Sequence, residues 1–111
     1  MAEAAGAVVY VRLSLVQPKA GNEARVAQIE GDLMGFFAAQ SGYLGGYRIT
    51  GGDAEGRIGR LTFWQSDDAA DRVAQTDRVL ALRSELMLLI EEETHVEVSW
   101  VAAAVQPQAP S

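Results

Sequence analysis

Residues 43–65 read Tyr43-Leu44-Gly45-Gly46-Tyr47-Arg48-Ile49-Thr50, then Gly51-Gly52-Asp53-Ala54-Glu55-Gly56, then Arg57-Ile58-Gly59-Arg60-Leu61-Thr62-Phe63-Trp64-Gln65. In the last stretch Leu61 and Phe63 alternate with Arg60, Thr62 and Trp64, the period of a strand. The first stretch is a short strand weakened by Gly45 and Gly46, and the glycine-rich segment between them is a hairpin loop. That loop is not a phosphate loop, because no helix opens after it and it carries no lysine. The segments flanking the hairpin decide the fold.

On the N-terminal side, Asn22 to Gln40 carries Val26, Ile29, Leu33, Phe36 and Phe37 at helical spacing, with Glu23, Arg25, Glu30 and Asp32 assigned to the other side. Asn22 is placed to cap this helix and Gly42 to stop it. Gly31 and Gly35 lie inside it, tolerated or marking a close approach. On the C-terminal side, Ser66-Asp67-Asp68 opens a second helix, a serine cap followed by acids where the helix dipole favours them. Its pattern runs to about Ile90 with a break near Thr76-Asp77, and Val79, Leu82, Leu86, Leu89 and Ile90 form the apolar stripe. The acids Glu91, Glu92 and Glu93 end it.

Outside the helices lie two more strands. Val8 to Val16 alternates Val9, Val11, Leu13 and Leu15 with Tyr10, Arg12 and Ser14; Thr94 to Ala102 alternates Val96, Val98 and Trp100 with His95, Glu97 and Ser99. Pro18-Lys19-Ala20-Gly21 breaks the chain after the first. The order β-α-β-β-α-β is the split pattern of the α+β ferredoxin-like fold, a four-stranded antiparallel sheet with two helices on one face. One domain over residues 8–102 is expected, with residues 1–7 and 103–111 as flexible tails. The sheet face away from the helices is expected to carry Tyr10, Tyr47, Trp64 and either His95 or Trp100, although strand-end twist leaves the face of Trp64 open. A large bare apolar face implies a partner, so a homodimer through the sheet is expected.

Composition narrows the function. In 111 residues the hydrophobic share is 49% and the charged share 22%, that of a globular domain. The net charge of −6, with Lys19 the one lysine and the arginines scattered, argues against nucleic acid. No cysteine is present and His95 is the one histidine, which excludes thiolate chemistry and argues against a zinc site. The acidic runs Asp67-Asp68-Asp71 and Glu91-Glu92-Glu93 read as solvated helix ends, so no metal and no cofactor are expected. The small, acidic start Met1-Ala2-Glu3-Ala4-Ala5-Gly6 is unlike a secretory signal, and no apolar run reaches the roughly 20 residues of a membrane span, so a cytoplasmic protein is expected.

Three stretches together resemble the antibiotic-biosynthesis-monooxygenase superfamily of dimeric α/β barrels. They are Pro18-Lys19-Ala20-Gly21-Asn22-Glu23 at the first helix, Gln40-Ser41-Gly42-Tyr43-Leu44-Gly45 at the second strand, and Phe63-Trp64-Gln65-Ser66-Asp67-Asp68-Ala69 at the third-strand junction. The resemblance implies two facing sheets in a homodimer and a cofactor-independent monooxygenase that oxidises a small aromatic, polyketide- or quinol-like substrate with O2. The same resemblance covers non-catalytic, ligand-binding or stress-response dimers, and lactone-isomerase-like enzymes, since fold does not fix function. Two departures matter. Arg72 to Asp77 lacks the histidine many members carry there, and Asn22, the one asparagine, lies at the helix entry rather than on the first strand, which argues against haem degradation.

The candidate chemistry rests on few side chains. The resemblance makes Trp64 a pocket wall, and an indole equally anchors a strand end by packing. His95 is the first candidate for proton transfer, because its ordinary pKa lies near neutrality. Pairing of the outer strands would put Tyr10 or Arg12 beside it. Arg12 and Arg60 are expected to point the same way, to hold an anionic ring or to pair with acids such as Glu97. Tyr10, Tyr43 and Tyr47 could donate hydrogen bonds to a ring oxygen or serve as packing. The site is expected between helices and sheet.

Overall fold

The computed structural model describes residues 8–51 and 53–105; the expected tail residues 1–7 and 106–111 lie outside the described residues, as does Gly52 of the hairpin loop. The elements are β1 (Val8–Val16), α1 (Glu23–Ala38), β2 (Tyr43–Ile49), β3 (Ile58–Trp64), α2 (Asp67–Ala74), α3 (Asp77–Leu89), a 3-10 turn (Glu92–Thr94) and β4 (Val96–Ala103). The sheet order is β2-β3-β1-β4 with every neighbouring pair antiparallel, the α+β ferredoxin-like arrangement. Among the described residues no helix is long and apolar enough to cross a membrane.

Local chemistry sets the helix ends. Ser66 caps α2, its Oγ accepting from the Ala69 amide at 3.0 Å. The second helix is broken after Ala74, where the Thr76 hydroxyl donates to the Val73 carbonyl at 2.7 Å and Asp77 starts α3. Gly42, beyond the end of α1, sits at φ +90°, and a Cβ there would lie 2.5 Å from the Ala69 Cβ. Only glycine meets both demands, so the turn into β2 is pinned against α2. The amide of Lys19 donates to Leu89 O at 2.8 Å and that of Glu91 to Gln17 O at 2.9 Å, tying the end of α3 to the end of β1.

The register assigns the faces. Tyr10 pairs with Trp64, Arg12 with Thr62, Ser14 with Arg60 and Val16 with Ile58 across β1 and β3. Across β4 Ser14 meets Glu97 and Arg12 meets Ser99. Directly paired residues share a face, and Trp64, Val16 and Tyr10 pack in the core with the helices. The face under the helices is therefore the polar alternation: Tyr10, Arg12, Ser14, Arg60, Thr62, Trp64, Glu97, Ser99. This corrects the expectation for Tyr10 and assigns Trp64, whose face the sequence leaves open, to the helix side. The bare face instead carries Val9, Val11, Leu13, Leu15, Leu61, Phe63, Tyr47, Val98 and Trp100, with Tyr47 67% and Trp100 52% exposed. Alternation tells which side chains share a face; it does not tell which face the chain's own helices cover.

The core lies between the inner face and Val26, Ile29, Leu33 and Phe37 of α1, Ala69, Ala70 and Val73 of α2, and Val79, Leu82 and Leu86 of α3. Glu30 is a second correction. It sits on the buried stripe of α1 with no exposed surface, and both its oxygens accept from Arg60 Nη1 at 2.8 Å. Gly31, next to it, faces the Arg48 guanidinium rather than another backbone.

Candidate functional site

The inner face is packed at the Trp64–Tyr10 end and the Val16 end, and left open in the middle. There the short polar side chains Ser14 and Thr62 replace what would be core residues, and a cavity of about 100 Å³ lies between the sheet and α2 and α3. Its floor is Arg12, Ser14, Arg60, Thr62 and Trp64; Phe37, Ala70, Ala74 and Val79 roof it, and Arg83 of α3 with Glu97 and Ser99 of β4 border it. Small residues on α2 keep that roof high, since alanine at 70 and 74 fills little of the space above the floor.

Trp64 is 2% exposed. Its ring meets Phe37 edge-on at 5.6 Å and Tyr43 at 5.2 Å, and its Nε1 donates to Thr62 Oγ1 at 2.9 Å. The indole thus presents its apolar surface to the cavity while its polar atom is already satisfied. Burial pushes the Tyr43 hydroxyl above its ordinary pKa.

The charges are paired at the edges of the site. Arg60 is held by the buried Glu30. Arg12 donates from Nη2 to Asp71 at 2.7 Å and Asp67 at 3.4 Å, so the α2 acids clamp an arginine of the floor. Arg83 donates to Glu97 at 2.9 Å, closing the border between α3 and the edge strand. Burial raises the Glu97 carboxyl, but the Arg83 hydrogen bond and the charges of Arg83, His95 and Arg60 outweigh it, and Glu97 lies below the ordinary carboxylate range. Two polar atoms of the floor, Ser14 Oγ and Arg12 Nε, are buried with no hydrogen-bond partner.

Of the side chains singled out from sequence, Arg12, Arg60 and Trp64 meet in this cavity. Tyr43 backs Trp64 without lining the space, and Tyr10 packs into the core on the same face. Tyr47 is on the opposite face, edge-on to Phe63 at 6.4 Å. His95 is not in β4: the 3-10 turn made by the acidic run delays the strand to Val96, and His95 comes directly after that turn. Its Nε2 lies 3.6 Å from Glu97 Oε2, behind the cavity border, and Tyr10 and Arg12 pair instead with Val101 and Ser99. Nor does Glu97 pair with Arg12 or Arg60; its partner is Arg83, a residue sequence reading did not single out.

Ser14, Thr62 and Glu30 were also missed. Glu30 had a signal: it lies four residues after Val26 and three before Leu33, on the apolar stripe itself, and a carboxylate there requires a buried partner. Among the described residues no group of three or more metal-ligating side chains converges.

No protein-family model matches the sequence, and no curated protein matches it. Solved structures do. Rv0793 from Mycobacterium tuberculosis superimposes with a TM-score of 0.71 at 13% identity, covering 91% of this chain and 99% of that one. SnoaB, a cofactor-independent oxygenase from Streptomyces nogalater, gives 0.67 at 18% identity over 92% and 97%. A Nitrosomonas europaea protein named after the antibiotic biosynthesis monooxygenases gives 0.73 at 11% over 91% and 94%. At these identities the likeness is one of fold, and it spans nearly the whole of each partner. The chain shares the α+β ferredoxin-like fold of these three proteins.

Proposed function

We propose that this protein is a cofactor-independent monooxygenase that takes a single ionisable aromatic ring into the cavity between sheet and helices. The observation that carries the reading is the cavity itself: a partly open space reaching the Trp64 ring, floored by Arg12, Ser14 and Arg60. Its volume of about 100 Å³ is smaller than the ~150 Å³ that holds benzene. One ring therefore enters with an edge left at the Arg83–Glu97 border, which favours a phenol or quinol over a fused polyketide.

The chemistry balances without a reductant. A phenol and O2 give a quinone and water: one oxygen atom enters the ring as a carbonyl, the other leaves as water, and the ring supplies the electrons. The first requirement is the ring anion. Arg12 and Arg60 favour it by charge, and Trp64 and Phe37 supply the apolar walls that keep water from the ring. His95, which does not line the cavity, acts in this scheme through Glu97. The bare face of Phe63, Tyr47, Val98 and Trp100 pairs with a second copy, burying aromatic groups that otherwise stand in water.

The test is oxygen uptake with a panel of single-ring phenols and hydroquinones, with product mass measured. The expected result is uptake equal to product formed, a product heavier by one oxygen and lighter by two hydrogens, and a large loss in Trp64→Phe. Full turnover in both Trp64→Phe and His95→Ala would remove the assigned roles. A second reading, a ligand-binding domain without catalysis, draws support from the satisfied Trp64 Nε1 and the small volume; ring binding with no oxygen uptake would select it.

A further inference from the structure

We infer that Thr62 is the positioning residue of the Trp64 indole, its hydroxyl selecting the one orientation in which that ring walls the cavity. The role rests on the reading of the cavity as a ring-binding site and names the residue on which its aromatic wall depends. Thr62 and Trp64 stand two apart on β3, on the face under the helices, and both are buried. Trp64 Nε1 donates to Thr62 Oγ1 at 2.9 Å. An indole has one N–H and can only donate, so the hydroxyl accepts here and keeps its own proton for Arg12 O, 3.5 Å away.

The other contacts of the indole are aromatic. Phe37 and Tyr43 meet it edge-on at 73° and 75°. Tyr43 has room to do so because β2 continues in glycine: the Tyr43 hydroxyl lies 2.8 Å from where a Cβ of Gly46 would stand, and Gly46 is the β2 residue paired with Thr62. These contacts hold the ring in a slot without distinguishing its two edges, since the second side-chain torsion of an aromatic residue is broad and roughly two-fold. The hydrogen bond does distinguish them. An indole turned over in the slot takes its buried N–H away from the acceptor, which is costly. Threonine suits the task, because a β-branched side chain is stiff at χ1 and Arg12 O anchors the hydroxyl to the neighbouring strand. Both residues line the cavity, and Thr62 acts there through Trp64 rather than on the ligand.

The test joins proton–nitrogen NMR of the full-length protein to calorimetric titration with phenol. The two tryptophans, Trp64 and Trp100, give two indole N–H signals, and Trp64→Phe identifies the first. That signal should exchange with solvent at least about tenfold faster in Thr62→Val, the isostere without the hydroxyl, than in the parent protein. Phenol should bind Thr62→Val at least about tenfold more weakly. Thr62→Ser restores an acceptor and should recover most of both losses. A hydroxyl that touched the ligand itself would also cost affinity, so the deciding comparison is made in Trp64→Phe. There Thr62→Val should change phenol binding less than about twofold, because no indole remains to be held. Thermal melts establish that each variant is folded, and Thr62→Ala takes the place of Thr62→Val if the isostere does not fold.

Unchanged indole exchange in Thr62→Val would overturn the inference, because Phe37 and Tyr43 would then hold the ring by themselves. An equal loss of phenol affinity with and without the indole would overturn it too, by putting the hydroxyl on the ligand. Oxygen uptake on a phenol at a rate that Thr62→Val leaves unchanged would sink the positioning role and spare the oxygenase reading. The expected exchange and binding pattern without any uptake would do the opposite, and a parent protein that binds no ring would overturn both.

Discussion

The pair Arg60–Glu30 offers the sharpest check on how this interior is built. Glu30 is completely buried, Arg60 nearly so, and two 2.8 Å contacts join them under the cavity floor. The Arg60 guanidinium also lies 5.9 Å from the Phe37 ring centre. Removing one partner strands the other charge in the core, at a cost of about 3–5 kcal/mol. Against a total stability of about 5–15 kcal/mol, each single change consumes roughly a fifth or more. At about 4 °C per kcal/mol for a domain near this size, the melting temperature should fall by roughly 12–20 °C. The two halves are not equivalent. A stranded carboxylate can take a proton and become neutral, whereas a stranded guanidinium cannot. Glu30→Leu should therefore cost more than Arg60→Leu, and the penalty of Arg60→Leu should ease in acid. Glu30→Leu with Arg60→Leu replaces the pair by apolar groups and should be less damaging than either alone. Urea unfolding of the four proteins, monitored by far-ultraviolet circular dichroism, gives the cycle, provided the m-values agree. The reasoning fails if either single change costs under about 1 kcal/mol, the range of exposed pairs, or if the double change equals the sum of the singles.

Gly59→Ala should destabilise by about 3 kcal/mol, the upper end of overpacking, because a Cβ there would lie 1.8 Å from the Ser14 carbonyl oxygen; urea midpoints measure it, and an unchanged midpoint contradicts the close approach of β1 and β3. Glu97, held below its ordinary 4.5, contributes stability that is fully present above that value and lost as the pH falls through its lowered folded pKa. Acid melts of Glu97→Gln should lack this component, and a profile identical to that of the parent protein would show that the Arg83 pairing is not felt. Tyr43, raised above its ordinary 10.0 by burial, contributes the opposite way: its stability is present below 10.0 and lost as the pH rises through its folded pKa. Tyr43→Phe should remove the latest component of the tyrosinate absorbance titration. Trp100→Glu, placed on the bare face, should raise the dimer dissociation constant at least about tenfold in sedimentation, as expected for a central aromatic anchor; a monomeric parent protein would remove the basis for pairing through this face.

Period and punctuation carried much of the architecture. Val8–Val16 was bounded correctly because alternation starts and Pro18 ends it, and Ser66 announced α2 because a serine before two acids has one obvious use. The break at Thr76-Asp77 was legible for the same reason. What alternation could not supply was orientation. In β1 the greasier set, Val9 to Leu15, turns away from the helices, while Tyr10, Arg12 and Ser14 turn under them. A solitary domain would normally bury the greasier set, so the inversion is the strongest physical argument for a second covering layer, and it is also what frees the inner face to be polar.

That inversion explains which site residues were readable. Arg12, Arg60 and Trp64 stood out by type and lie together because they share the inner alternation. Ser14 and Thr62 did not, because a hydroxyl in a strand carries no signal until its surroundings are known. His95 was misplaced by the run Glu91-Glu92-Glu93: repulsion among three acids argues for the end of a helix but sets no length for the connection to the next strand, and a 3-10 turn moved the histidine off that strand. Glu30 was misassigned because charge was allowed to outrank spacing. Weighed the other way, a carboxylate on the α1 stripe demands a buried cation, and the arginines of the inner alternation, Arg12 and Arg60, are the candidates β1 and β3 can supply. Arg12 is claimed from outside by Asp67 and Asp71 at the start of α2, which leaves Arg60 for Glu30. The polar floor results from that division: one arginine is tied down beneath the cavity by a buried acid, and the other is clamped at its tip by exposed ones.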